Sequence, residues 1–155
     1  MKTLLAPLRS KVDRLEREFC DRWGYDALPW AIKNGRPYMT IDSDIWESRE
    51  ATLLRDATIK LGRAEAKELR EAVRKEIVAR GWAVFCGTTA RRTGRTKGEC
   101  DLTVAADRGR TFYIEVKTRT GKVTTVQAAV HAHLRRLGHA VHVIRSVDQF
   151  RAAVK

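Results

Sequence analysis

Glu115-Val116-Lys117 is the place in this chain where chemistry could collect. It ends an apolar run, Thr111 to Val116, that reads as a β-strand. Residues two apart on a strand share a face, with side chains about 7 Å apart. A carboxylate and an ammonium therefore project together, while Val116 turns to the opposite side. Asp101 lies 14 residues upstream of Glu115, at the start of a second short strand. A tight hairpin between these strands brings Asp101 opposite the Glu115 region. Two neighbouring carboxylates repel unless a cation neutralises them. Hard divalent ions such as Mg²⁺ take oxygen ligands, a few from protein and several from water. An adjacent lysine can orient a water or stabilise charge on a phosphate. The competing reading is a hairpin with a surface ion pair. A similar triplet, Glu65-Ala66-Lys67, falls on a helical stretch, where residues two apart point away from each other. It forms no such site by itself.

The elements needed to position these residues are legible. Leu5, Leu8, Val12, Leu15 and Phe19 form one helical stripe in the segment 4–22. Pro29, Gly35 and Pro37 mark an irregular segment. Asp42 or Ser43 can cap a second helix, with Ile45, Trp46, Arg49, Leu53 and Ala57 along one side. Trp23, Trp30 and Trp46 read as core anchors. Gly62 is a plausible break. A helix then runs over 63–80 with Ala66, Leu69, Val73 and Ile77 on one face, and Gly81 ends it. Strands are expected at 82–86, 102–105 and 111–116, the last two joined by the turn Asp107-Arg108-Gly109. A helix over 124–137 stops at Gly138. A strand at 140–144 and a helix at 147–154 close the chain.

The chain has 155 residues and a formal charge of +12. Residues 1–60 hold 11 basic and 10 acidic side chains; the remainder holds 20 basic and 9 acidic. Nearly all the excess lies beside the proposed site, which points to a polyanionic partner such as nucleic acid. No apolar run approaches the ~20 residues of a membrane helix. Arg9 and Lys11 interrupt the apolar start, so no signal peptide is expected. Cys20, Cys86 and Cys100 are odd in number and widely spaced. They suggest neither a disulfide framework nor a thiolate zinc site, and a reducing cytoplasm suits them. His131, His133, His139 and His142 read as ordinary helix and strand histidines. No phosphate-binding Gly-x-x-x-x-Gly-Lys-Ser/Thr loop is present.

Several short motifs now combine. Lys97-Gly98-Glu99-Cys100-Asp101 precedes Phe112-Tyr113-Ile114-Glu115-Val116-Lys117-Thr118. Gly121-Lys122-Val123-Thr124-Thr125-Val126-Gln127 follows, and then Leu134-Arg135-Arg136-Leu137-Gly138-His139-Ala140-Val141. Together these resemble the VRR-NUC branch of the PD-(D/E)XK nuclease superfamily, over about residues 63–150. The resemblance implies an α/β, restriction-endonuclease-like core (helix, three strands, helix, strand, helix) in residues 62–155, preceded by an N-terminal helical extension in 1–61. It implies that Asp101 and Glu115 bind Mg²⁺ (or Mn²⁺) with the main-chain carbonyl of Val116. Lys117 would position the attacking water, and Gln127 would support the site. A helix glutamate is also implied: Glu65 is the first choice, then Glu68, with Glu76 also open. Cys100 stands where the motif has proline, a departure that removes turn stiffness but no ligand. Arg91, Arg92, Arg95, Lys97 and Lys122 would contact phosphates. The implied activity is Mg²⁺-dependent endonucleolytic cleavage of DNA, selective for branched or flapped structure. A non-catalytic nucleic-acid-binding module on the same fold is the alternative. Residues 1–60 suit packing or self-association, which leaves room for a homodimer.

Overall fold

Among the described residues, the first unit consists of one helix and the first half of another. The structure is a computed structural model that describes residues 5–23, 48–86 and 98–155. The chain divides into compact units Met1–Glu65 and Ala66–Lys155. Helix α1 (Leu5–Trp23) buries Val12, Leu15, Phe19 and Cys20. These pack with Ala51, Leu54 and Ala57 from the first half of helix α2 (Arg49–Ala79). Arg22 bonds Glu50 near one end of the hairpin and Arg9 bonds Glu65 near the other. The two helices are therefore antiparallel.

Two expectations change here. Gly62 does not break the chain; α2 runs through it for 31 residues. Glycine costs only about 1 kcal/mol relative to alanine inside a helix, too little to stop one flanked by good helix formers. The buried face of α2 is Ala51, Leu54 and Ala57, while Leu53 is exposed and Arg49 faces solvent. Ala57 is buried as expected, while Ala51 and Leu54 take the places expected of Arg49 and Leu53. Ser48 caps the described helix, its Oγ accepting the Ala51 N–H. Asp42, Ser43, Ile45, Trp30, Trp46 and the side chain of Trp23 lie outside the described residues.

The second unit is a mixed α/β layer built on a four-stranded sheet of order β1-β2-β3-β4. The strands are β1 (Ala83–Cys86), β2 (Leu102–Ala105), β3 (Thr111–Val116) and β4 (Ala140–Ile144). The first three pair antiparallel; β4 joins β3 in parallel through helix α3 (Thr125–Arg136). Helix α4 (Val147–Ala153) ends the chain. The element order is the one expected from the sequence. Gly81 and Gly138 end their helices with φ of 76° and 86°, conformations that other residues resist.

Strand alternation sorts the two faces. Leu102, Val104, Phe112, Ile114, Val116 and Ile144 enter one core with Val73 and Ile77 of α2 and Phe150 of α4. Trp82 closes this core edge-on to Phe112, at 5.7 Å between ring centroids, and its indole N–H donates to Asp107. On β3, the residues between the core positions are Tyr113 and Glu115, and they take the opposite face. Gln127 and His131 of α3 lie on that side.

Candidate active site

The β2–β3 register sets the geometry. Leu102 pairs with Ile114, so Asp101, one step earlier, comes beside Glu115. Asp101 Oδ2 accepts the backbone N–H of Val116 at 2.9 Å. Its Oδ1 accepts from Arg70 of α2, also at 2.9 Å. The anticipated convergence of Asp101, Glu115, Lys117 and Gln127 is therefore present as geometry.

Glu115 is 2% exposed, and its two oxygens have different surroundings. Oε1 is 2.7 Å from Lys117 Nζ and accepts from Gln127 Nε2 at 2.5 Å. Oε2 is buried with no hydrogen-bond partner. Leaving a buried charged oxygen unsatisfied is costly, by several kcal/mol for an unpaired ion. Burial accordingly pushes the Glu115 carboxyl above the usual range; the Lys117 hydrogen bond opposes this, and the neighbouring Asp101 charge adds to it.

Gln127 is the clamp. Its Oε1 accepts from Lys117 Nζ at 3.0 Å and from the Thr124 N–H at 3.1 Å. Thr124 returns the bond, its Oγ1 accepting the Gln127 N–H. This reciprocal capping box starts α3 and ties the helix to the site in one stroke. The loop between Lys117 and α3 is held by Arg145, which donates to the carbonyls of Thr118 and Gly121 at 2.7 Å each. Gly98 explains its place in the motif. Its φ is 90°, and a Cβ there would lie 2.9 Å from the Val126 carbonyl oxygen. Only glycine lets the strand lead-in approach the first turn of α3.

Two of the three candidate helix glutamates are held by other partners. Glu65 is bonded to Arg9, within the first unit, and Glu76 to Arg151 of α4. Glu68 is half-buried on α2. The α2 side chain that reaches Asp101 is Arg70. It lies three residues before buried Val73 and seven before Ile77, the inward helical spacing, which was the available signal. His131, also missed, lies four after Gln127 on the same face of α3. It is 2% exposed, its Nε2 is 3.9 Å from Glu115 Oε2, and its Nε2 lacks a hydrogen-bond partner. Burial pushes its imidazole below the ordinary histidine value, helped by the charges of Arg135 and Lys117. Arg91, Arg92, Arg95 and Lys97 lie outside the described residues; Lys122 is exposed on the loop before α3.

The donor set suits a hard divalent cation. Glu115 Oε2 is an orphaned buried oxygen, and the Asp101 charge adds to the cost of ionising Glu115 in a way a cation relieves. No helix of the described residues is long and apolar enough to cross a membrane.

No family model matches the chain, and no curated protein matches it. A solved structure described as a VRR_NUC domain does match, with a TM-score of 0.51 and 23% identity. The match covers 58% of this chain and 94% of that one. The likeness that the motifs suggested is thus met at the level of the fold: the α/β core of this chain resembles that of a VRR_NUC domain.

Proposed function

We propose that the chain is a metal-dependent nuclease that hydrolyses phosphodiester bonds in DNA. The observation that carries this reading is the meeting of Asp101, Glu115, Lys117 and Gln127 at the open end of β3, on a nuclease-type fold. Mg²⁺ or Mn²⁺ held by Asp101 and Glu115, with the Val116 carbonyl, would supply charge stabilisation at the phosphate.

The chain's own groups do the rest. Lys117 carries a positive charge at a partly buried position, where it can hold the attacking water and meet the negative charge that grows on the phosphate oxygens. Gln127 keeps Glu115 and Lys117 in register, so little reorganisation is needed as reaction proceeds. Arg70 neutralises Asp101, and a cation held by Asp101 would share that carboxylate with it. The basic residues Arg91, Arg92, Arg95, Lys97 and Lys122 are assigned to phosphate contacts. Such contacts fix position without reading bases, which favours recognition of branched or flapped structure over sequence.

The test is incubation with duplex, flap and four-way DNA in Mg²⁺, Mn²⁺ or chelator. Cleavage should require the metal, and Asp101→Ala and Glu115→Ala should each abolish it in folded protein. Full activity in either variant would remove this mechanism. Metal-independent binding without cleavage in the parent chain would make it a binding module instead.

A further inference from the structure

The strongest feature left unused by this mechanism lies behind Glu115. Cys100, Glu115 and His131 are all buried, and one ligand atom from each lies within 4.8 Å of the others. Two of those atoms, Glu115 Oε2 and His131 Nε2, are buried without hydrogen-bond partners and face each other at 3.9 Å. Cys100 is a thiol, not part of a disulfide.

We propose that Cys100, Glu115 and His131 form a second cation site, selective for a borderline-soft divalent ion of the Zn²⁺ class. The donor chemistry sets the selectivity. A sulfur, an imidazole nitrogen and one carboxylate oxygen suit Zn²⁺, whereas Mg²⁺ demands oxygen. Tetrahedral zinc with bonds of about 2.0–2.3 Å needs ligand atoms about 3.4 Å apart. The observed 3.9 Å between His131 and Glu115 is therefore a small contraction away. Three protein ligands leave a fourth position for water. The thiol proton of Cys100 leaves to solvent on binding. Cys100 also lines a groove, together with Phe85, Cys86, Glu99, Tyr113 and Val130.

Two different sequence signals produce the site. Cys100 takes the motif's proline position, so the departure adds a ligand. His131 comes to the same place because it follows Gln127 by one helical turn. A consequence rests on the nuclease reading: the new site uses Glu115 Oε2, the oxygen also available to Mg²⁺, so Zn²⁺ should oppose cleavage. The site itself does not depend on that reading.

The experiment uses the full chain without DNA, stripped with chelator and titrated with Co²⁺. A thiolate-to-cobalt charge-transfer band should appear and saturate at one ion per chain. Zn²⁺ should erase it, and a large excess of Mg²⁺ should not. Cys100→Ala should abolish the band, while Cys20→Ser and Cys86→Ser retain it. His131→Ala should weaken Zn²⁺ binding, measured against a chromophoric chelator, by at least about tenfold, the lower end of what even indirect ligand supports cost. No band in the parent chain, a band that survives Cys100→Ala, or one that Mg²⁺ erases as readily as Zn²⁺ overturns the site. Should Cys100→Ala unfold, unchanged Zn²⁺ affinity in His131→Ala overturns it as well. Because no nucleic acid is present, failure of the band leaves the nuclease reading standing, and failure of cleavage leaves the band standing.

Discussion

Replacing Lys117 by methionine separates the energetic role of the lysine from its chemical one. Methionine keeps most of the side-chain volume and removes the charge. In the parent chain Lys117 Nζ lies 2.7 Å from Glu115 Oε1 and donates to Gln127 Oε1 at 3.0 Å. Breaking a buried ion pair typically costs about 3–5 kcal/mol, because the remaining charge is stranded. Two facts lower that figure. Lys117 keeps some solvent contact, its side chain being 16% exposed. Glu115 is already pushed up by burial, so it escapes the penalty by taking a proton. About 2–3 kcal/mol of destabilisation remains, or a melting shift of roughly 4–12 °C for a chain of this size. Glu115→Gln removes the buried charge itself, so Lys117→Met should cost less when made in that background. Thermal melts of the parent, both single variants and the double variant, in chelator, give the cycle. The double variant should be more stable than Lys117→Met alone. If it is less stable, or if Lys117→Met melts with the parent, the buried-pair argument is wrong. Cleavage should fall by about 10²-fold or more in Lys117→Met, the usual loss for one donor that stabilises a developing oxyanion.

Three further outcomes follow from other parts of the molecule. Gly98→Ala should cost about 1–3 kcal/mol in denaturant unfolding, since it forces a side chain into a left-handed backbone and against the Val126 carbonyl. Gly62→Ala should raise stability by about 0.5–1 kcal/mol, because Gly62 is inside a continuous helix and a Cβ there meets nothing within 4 Å; a loss would mean that α2 is interrupted. His142 packs edge-on to Phe112 at 6.0 Å, and burial, then the charge of Arg135, push its imidazole down from 6.5. The unfolded chain therefore takes its proton first as pH falls. Stability from neutral His142 is present above about pH 6.5 and is lost below it. Melting points measured from about pH 7.5 to about pH 5 should drop less steeply in His142→Asn than in the parent, and equal slopes would exclude the effect.

What the sequence disclosed depended on how local the signal was. The β2–β3 hairpin was legible because Asp107-Arg108-Gly109 is a turn and the flanking strands alternate, and its register alone brings Asp101 to Glu115. Gln127 was legible only through the motif, since its capping bond to Thr124 and its bonds to Glu115 and Lys117 join three elements. On α2 the sequence left Glu65, Glu68 and Glu76 open and did not point to Arg70. Glu65 and Glu76 each found an arginine of their own, and Arg70 was left to meet Asp101. Charge alone could not select among them; partners distant in sequence did. The N-terminal helices show a similar limit. Leu53 and Leu54 are equally apolar, and a shift of one residue turns a helix by about 100°. Only the packing partners on α1 decide which leucine is buried.

Glu115 is the residue on which these arguments converge. One oxygen is fully committed: Lys117 and Gln127 hold Oε1, and the Thr124 capping box holds Gln127. The carboxylate therefore cannot rotate to satisfy its other oxygen without losing two bonds to charged or polar donors, each worth more than an ordinary hydrogen bond because the acceptor is ionised. Oε2 stays buried and unsatisfied as a consequence of how Oε1 is held. A core optimised for stability would place an apolar side chain at this position. The fold instead keeps a carboxylate oxygen buried and unpartnered, 3.9 Å from His131 Nε2, in a group that also feels the charge of Asp101. Any cation that enters gains what the protein alone does not supply, and which cation enters follows from whether oxygen or sulfur and nitrogen complete the shell.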